Sequence, residues 1–412
     1  MSVVDQIEEV GRRMQEEQAN LEEAILETCS INVSDEQLEN GVNRLIYNHC
    51  INKSKLRDFF GGAKGTFNKR IDTVIAEGVI SEPIFQNRSH LFTRHQVATL
   101  MEHWGSPSYR DNYQSQVISI QNHKGGTGKS TTTVALAVKT ALDLDLNAKV
   151  CLIDLDPQGS AARGLIQPSD DEVYLTMADL LVADYEPDSD VRQYLEMGNS
   201  FEDVVLATPF STHLPNLDVI TAFPTDEKFT DYYWRMPDEE KGAFLARFKN
   251  EVLPILRQKY DLIYLDLPPQ DSPITWSAAE ATDCILVPIT PRTYDFASTT
   301  NYMRTLPNRL RTLPSQGTNI KWMKMIAVNY NDKSKPERNT FDKLLRSVRS
   351  QFMTATIKHS DAFVAAADLN RSVLDIMKSE DICSDKQFDI AVNSVNAAYD
   401  QFIVEMKVVA AK

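Results

Sequence analysis

The sequence predicts an α/β fold, a mostly parallel sheet covered by helices on both faces, preceded by a helical winged helix-turn-helix domain. Three observations carry that reading. From residue 111 onward, at least four apolar strands alternate with helical stretches, the pattern of a parallel sheet wrapped by crossovers. One of those strands runs into the glycine-rich segment Lys124-Gly125-Gly126-Thr127-Gly128-Lys129-Ser130-Thr131. A short basic segment, residues 43–110, stands in front of them in a chain of net charge −15.

In chain order, residues 1–42 come first, with Arg12 and Arg13 against eleven carboxylates, net −9. Val3, Ile7, Val10 and Met14 follow heptad spacing, and Leu21 and Ala24 resume it after Glu17. The pattern suits an amphipathic helix that pairs with a second copy of itself, or one folded onto its own domain. Residues 43–110 carry ten Lys/Arg against five carboxylates, net +5. There, 53–60 reads as a first helix, Gly61-Gly62-Ala63 as a turn, and 64–75 as a second helix with Phe67, Ile71, Val74 and Ile75 on one apolar face. Lys64, Thr66, Asn68, Lys69 and Arg70 then face solvent, as the N-terminal residues of a recognition helix face the major groove. Residues 78–92, including Arg88, read as two short strands around a turn, the wing. A small helical interaction domain would show the same pattern. Asn112 to Gln116, preceded by residues 107–111, reads as the linker into the next domain.

The glycine-rich segment follows Val117-Ile118-Ser119-Ile120 and precedes the helical pattern Thr133-Val134-Ala135-Leu136-Ala137. Strand, glycine turn and helix are the setting of a phosphate-binding loop. The generic pattern wants glycine five residues before Gly128, where this chain has His123. The stricter variant with an extra lysine, K-G-G-x-G-K-[S/T], is matched in full. Backbone N–H groups of Gly125, Gly126, Thr127 and Gly128 would turn toward a triphosphate, with Thr131 just beyond. Lys129 would reach the β- and γ-phosphates, and the Ser130 hydroxyl would ligate Mg²⁺. Lys124 can point away from its own nucleotide and toward a partner's.

Two further strands end in carboxylates: 150–156, closing on Asp154 and Asp156, and 260–266, closing on Asp266. Ligands of parallel α/β sheets sit at the carboxyl ends of strands. Asp266 is suited to hold Mg²⁺ through a water, Asp154 to the outer shell, and Asp156 to the attacking water. The stretch from Pro168 to Glu240 reads as acidic and irregular. Strand 284–289 follows, and Pro288 should leave its pairing incomplete. The last strand, 325–330, places Asn329 to contact the adenine or to make a turn. Beyond it lie Lys333, Lys335, Arg338, Lys343, Arg346, Arg349 and Lys358.

The extra loop lysine, Asp154-Leu155-Asp156-Pro157-Gln158-Gly159 and the segment Tyr260 to Pro269 together resemble the ParA-type partition ATPases, of the deviant Walker A class of P-loop proteins. The resemblance covers roughly residues 111–412, and residues 176–181 resemble the family's short helix after the second motif. It implies ATP and Mg²⁺ as cofactors and an ATP-sandwich homodimer in which Lys124 of each protomer contacts the other's nucleotide. It further implies weak hydrolysis stimulated by a DNA-bound ParB-type partner. Sequence-independent DNA binding would involve Arg346, Arg349 and Lys358, and the N-terminal module would bind an operator. The domains expected are 1–42 for dimerisation, 43–110 for DNA and 111–412 for the ATPase. The competing reading is a nucleotide-regulated repressor without a motor role.

Composition sets the outer limits. Hydrophobic residues make up 42% of 412, enough for a substantial core. Five scattered cysteines, with no C-x-x-C, argue against a zinc site or a disulfide framework and suit a reducing cytosol. No apolar run approaches a membrane span, and Met1 to Asp5 lacks a signal-peptide layout. The C-terminal residues carry no basic side chain between Phe388 and Lys407, against a basic membrane-surface helix.

Overall fold

A computed structural model describes residues 3–31, 42–166 and 173–412. They form two compact units, residues 1–106 and 107–412. The expected end of the first segment at residue 42 adjoins 32–41, which lie outside the described residues, as does Pro168.

In the first unit, helix α1 (Val3–Thr28) is a single element, with Arg12 bridging to Glu9 at 2.8 Å and Gln18 to Glu22 at 2.8 Å. Side-chain pairs at these spacings support an exposed helix. Its apolar stripe is uncovered: Val3, Ile7, Val10, Met14 and Leu21 are all exposed, and only toward its end is Ile25 buried. This unit therefore does not bury the stripe that the heptad spacing defines.

Downstream, strand β1 (Ile51–Asn52) leads into α2 (Lys53–Phe60), capped by the Asn52 side chain on Lys55 N–H at 2.8 Å. A turn through Gly61 and Gly62, both at positive φ, leads into α3 (Lys64–Ala76). Phe67, Ile71 and Val74 are buried, while Ile75 is only half-buried. Strands β2 (Ile84–Gln86) and β3 (Ser89–Phe92) form an antiparallel hairpin, and β3 also pairs with β1. The hairpin turns on Asn87 and Arg88, at φ 51° and 60°. Such double left-handed turns match the twist of the flanking strands. Helix α4 (Arg94–His103), opened by a Thr93–Gln96 capping box, closes the unit.

The second unit is built on one seven-stranded sheet. Its strands are β4 (Gln116–Ile120), β5 (Val150–Asp154), β6 (Phe210–Ser211), β7 (Leu217–Ile220), β8 (Leu262–Asp266), β9 (Cys284–Ile289) and β10 (Trp322–Ala327). Their spatial order is β10-β9-β4-β8-β5-β7-β6, parallel throughout except for the short edge strand β6. Side chains alternate between two cores. Val150, Leu152, Leu262 and Tyr264 face one, with helix α5 (Lys129–Leu142). Cys151, Ile153, Ile263 and Leu265 face the other. Both faces are thus dry, which is why these strands read as continuous apolar runs.

Three expectations change. The residues read as a linker are part of this unit: Tyr109–Asn112 forms a helical turn, Tyr109 is buried, and Gln116 opens β4. The unit begins at Pro107, four residues before the expected limit of 111. The acidic stretch before Glu240 is not irregular. Helices Met177–Val182, Asp190–Glu196, Phe201–Ala207 and Lys228–Arg235 lie within it, and their apolar faces supply much of the second core. At Pro288, the ladder from β9 to β4 stops at Leu286, while the ladder to β10 continues to Ile289. Leu286 pairs with Ile120, the last residue of β4, so that ladder ends with the strand.

Candidate nucleotide site and nucleic-acid faces

Parallel pairing sets Asp266 level with Ile120 on one side and Asp154 on the other. Both carboxylates therefore lie on one side of the point where β4 gives way to the glycine loop, Asp266 on the next strand and Asp154 on the one beyond. Gly126 and Gly128 both sit at φ 71°, and a Cβ at Gly128 would lie 3.3 Å from Val328 Cγ2. Gly128 is also the cap residue of α5, and no side chain caps that terminus. The first N–H groups of α5 are left for an anion, the use to which helix N-termini of this kind are put. Lys129 is buried with its Nζ 3.3 Å from the Lys124 carbonyl oxygen, to which it donates. Burial lowers its pKa, against the pull of Asp266 and Asp156.

The three carboxylates differ in their commitments. Asp154 Oδ1 accepts from Asp156 N–H at 3.0 Å, and its Oδ2 from Ala161 and Ala162 N–H at 3.0 and 3.1 Å. Both oxygens of Asp154 thus brace the loop that carries Asp156. Asp156 is half-buried, and its Oδ1 accepts from Gln158 N–H at 3.1 Å. Asp266 Oδ1 accepts from Thr133 Oγ1 at 3.0 Å, while its buried Oδ2 has no hydrogen-bond partner among the described residues. An orphaned buried carboxylate oxygen needs a ligand. With the Ser130 hydroxyl it is the hard-oxygen donor set that Mg²⁺ takes, so these residues fit the cation. Burial pushes the Asp266 carboxyl up to about 6, and burial followed by the neighbouring Asp266 raises Asp154 well above the carboxylate range.

Lys124 turns away from the loop. Its Nζ is ion-paired with Asp295 Oδ1, in the first turn of helix α6 (Thr293–Thr312). Asn329 is exposed at φ 50°, and its Oδ1 lies 2.7 Å from His359 Nδ1. It makes the turn that sequence allowed, and Val328 against Gly128 places that turn beside the phosphate loop.

Lys64, Thr66, Lys69 and Arg70 are exposed on α3 and Arg88 on the hairpin, whereas Asn68 is half-buried. Arg70 stacks over Trp104 with its guanidinium carbon 4.0 Å from the ring centroid, which fixes its direction. In the second unit, helix α7 (Lys335–Val348) exposes Arg346, and Arg349 follows it, also exposed, at φ 55°. Lys358 is not equivalent to them. It pairs with Asp332 at 2.9 Å and lies 4.8 Å from the Tyr330 ring. Thr131 is exposed at the start of α5.

A family model described as an AAA domain matches residues 115–316. Plasmid partition protein A of Escherichia coli is 26% identical over 262 residues, 60% of this chain and 61% of that protein. The sporulation initiation inhibitor protein Soj of Bacillus subtilis is 33% identical over 175 residues, 42% of this chain and 58% of that protein. A solved structure described as a partition protein superimposes with a TM-score of 0.61 at 18% identity, covering 96% of this chain and 98% of the other. These similarities support a ParA-type partition ATPase. The chain spans about three fifths of the length of those two curated relatives, and the solved structure establishes the fold it shares.

Four site-adjacent side chains were not expected from sequence: Thr133 on Asp266, Ser160 (Oγ 3.2 Å from Ser130 Oγ), His359 on Asn329, and Asp295 on Lys124. Thr133 had a usable signal, since it lies one helical turn after Lys129 and so on the same face. Asp295 follows the loop at the carboxyl end of β9, where ligand-side residues of a parallel sheet collect.

Proposed function

We propose that this chain is an ATP-hydrolysing DNA partition protein. The observation that carries the reading is the convergence of Lys129, Ser130, Asp156 and the unpartnered Asp266 Oδ2 at the uncapped N-terminus of α5. Lys129 and the loop N–H groups would bind the β- and γ-phosphates and offset charge as it develops on the leaving oxygen. Asp156, held by Asp154, would orient the attacking water. Lys124, supplied across an ATP-sandwich homodimer, would act on the partner's nucleotide. When bound, Mg²⁺ supplies charge neutralisation at the phosphate oxygens, held by Ser130 and, through water, by Asp266. Asn329 would meet the adenine.

The DNA-facing residues divide between two tasks. Lys64, Thr66, Asn68, Lys69, Arg70 and Arg88 would read an operator, with α1 pairing two copies over its half-sites. Arg346 and Arg349 would contact phosphates without regard to sequence, and Lys358 would join only after leaving Asp332. A ParB-type partner on DNA would stimulate hydrolysis and release the dimer. No described helix is long and apolar enough to cross a membrane, and the C-terminal helix Asp385–Ala410 buries Ala391, Val395 and Phe402 in the core.

Binding to a random-sequence duplex with ATP, with ADP and without nucleotide, across a salt series, tests this. Tight, salt-sensitive binding with ATP alone is expected. Binding indifferent to nucleotide would favour a repressor that uses only its basic N-terminal face. In Asp156→Ala, ATP and DNA binding should persist and turnover should vanish. Turnover at the parent rate would remove Asp156 from the mechanism.

A further inference from the structure

We infer that Asp295 is a latch for Lys124: it holds the trans-acting lysine within its own protomer, and assembly of the sandwich must break that pair. The inference rests on the reading of Lys124 as a residue that serves the partner's nucleotide. Asp295 is thereby a positioning residue that acts through Lys124.

The geometry is specific. The Asp295 side chain is 8% exposed and that of Lys124 is 35%, so the pair is shielded on the acid's side and open on the lysine's. The frame around it is tied at separate points. Asn122, two residues before Lys124, donates through Nδ2 to the Pro288 carbonyl at 2.9 Å and to Thr299 Oγ1 at 3.0 Å. The His123 ring lies 4.5 Å from that of Tyr302. These contacts fix the root of the loop on β9 and α6, leaving the long Lys124 side chain as the mobile part.

Two anions therefore compete for one ammonium group: Asp295 in the same protomer and a triphosphate in another. The competition is linked to nucleotide binding. Lys129 donates to the Lys124 carbonyl in the latched arrangement. A triphosphate in the loop claims Lys129, and so removes a contact that holds the Lys124 backbone. The latch is also reversible. A buried carboxylate stripped of its cation is ordinarily costly, but Asp295 lies in the first turn of α6, where unpaired N–H groups and the helix dipole favour negative charge. Asp295 tolerates the departure better than a buried acid elsewhere would.

The test uses the full chain with Mg²⁺ and the ATP-induced change in energy transfer between differently labelled copies. Asp295→Asn keeps the shape and removes the charge, and it should lower the ATP concentration for half-maximal response by about tenfold. Asp295→Glu, which keeps the charge, should stay near the parent value. In a Lys124→Ala background, Asp295→Asn should add nothing. A mere packing defect would weaken assembly and would act with or without Lys124. An unchanged or raised ATP requirement in Asp295→Asn, or an equal shift in the Lys124→Ala background, overturns the latch alone. Full ATP response and parent turnover in Lys124→Ala would overturn the sandwich reading itself, and the latch with it.

Discussion

Asp266 carries two demands that conflict. Metal binding asks for an ionised carboxylate at a buried strand end, and burial asks for a neutral one. With its carboxyl raised to about 6 from an ordinary 3.8, the metal-free folded chain binds more protons than the unfolded chain between those values. Stability from this group therefore falls as pH rises through that window, by an amount on the order of 3 kcal/mol. Asp266→Asn should accordingly raise the thermal midpoint of the metal-free chain at pH 7 to 8 by a few degrees while abolishing turnover, as scanning calorimetry and phosphate release would read. A lowered midpoint would show that Asp266 stabilises the fold. In the parent, Mg²⁺-dependent ATP binding should weaken as pH drops below about 6, because the proton competes with the cation. Lys129, Ser130 and Asp266 were legible in sequence because each follows a strand or opens a helix at fixed spacing. The division of labour between Asp154 and Asp266 was not. It depends on which loop N–H groups fold back onto which oxygen, and that depends on the path of residues 156–162.

At the level of single elements, the hairpin of the first unit is informative. Arg88 occupies a left-handed position that glycine would take without strain. Its presence costs about 1 kcal/mol of local backbone energy. Arg88→Gly should therefore stabilise the first unit by a similar amount in urea melts and weaken operator binding. Tighter binding in that variant would remove the hairpin from the DNA face. Helix α3 was legible down to its buried face because Phe67, Ile71 and Val74 recur at helical spacing. The helix over 177–182 was expected by resemblance, but Asp190–Glu196, Phe201–Ala207 and Lys228–Arg235 were not legible, because each is short, buries only one or two residues and leaves a weak periodic signal. The stretch around Tyr109 misled for a related reason. Pro107, Ser108 and Asp111 look like punctuation, but Ser108 and Asp111 cap a turn that seats Tyr109 in the core.

Across the whole molecule, charge is sorted by place. A chain of net charge −15 keeps Lys64, Lys69, Arg70, Arg346 and Arg349 exposed. Removing Arg346 or Arg349 should reduce the slope of log affinity against log salt by about one each and leave ATP binding intact. An unchanged slope would move the DNA face elsewhere. The uncovered stripe of α1 has a different consequence. If it engages another copy, and the loop bearing Lys124 engages a copy as well, each chain has a valency of two. Where both engagements are with the same neighbour, growth terminates at a closed pair. Where they are with different neighbours, nothing terminates it, and the chains join head to head and tail to tail into an open row whose length is set by concentration and by how long each ATP survives.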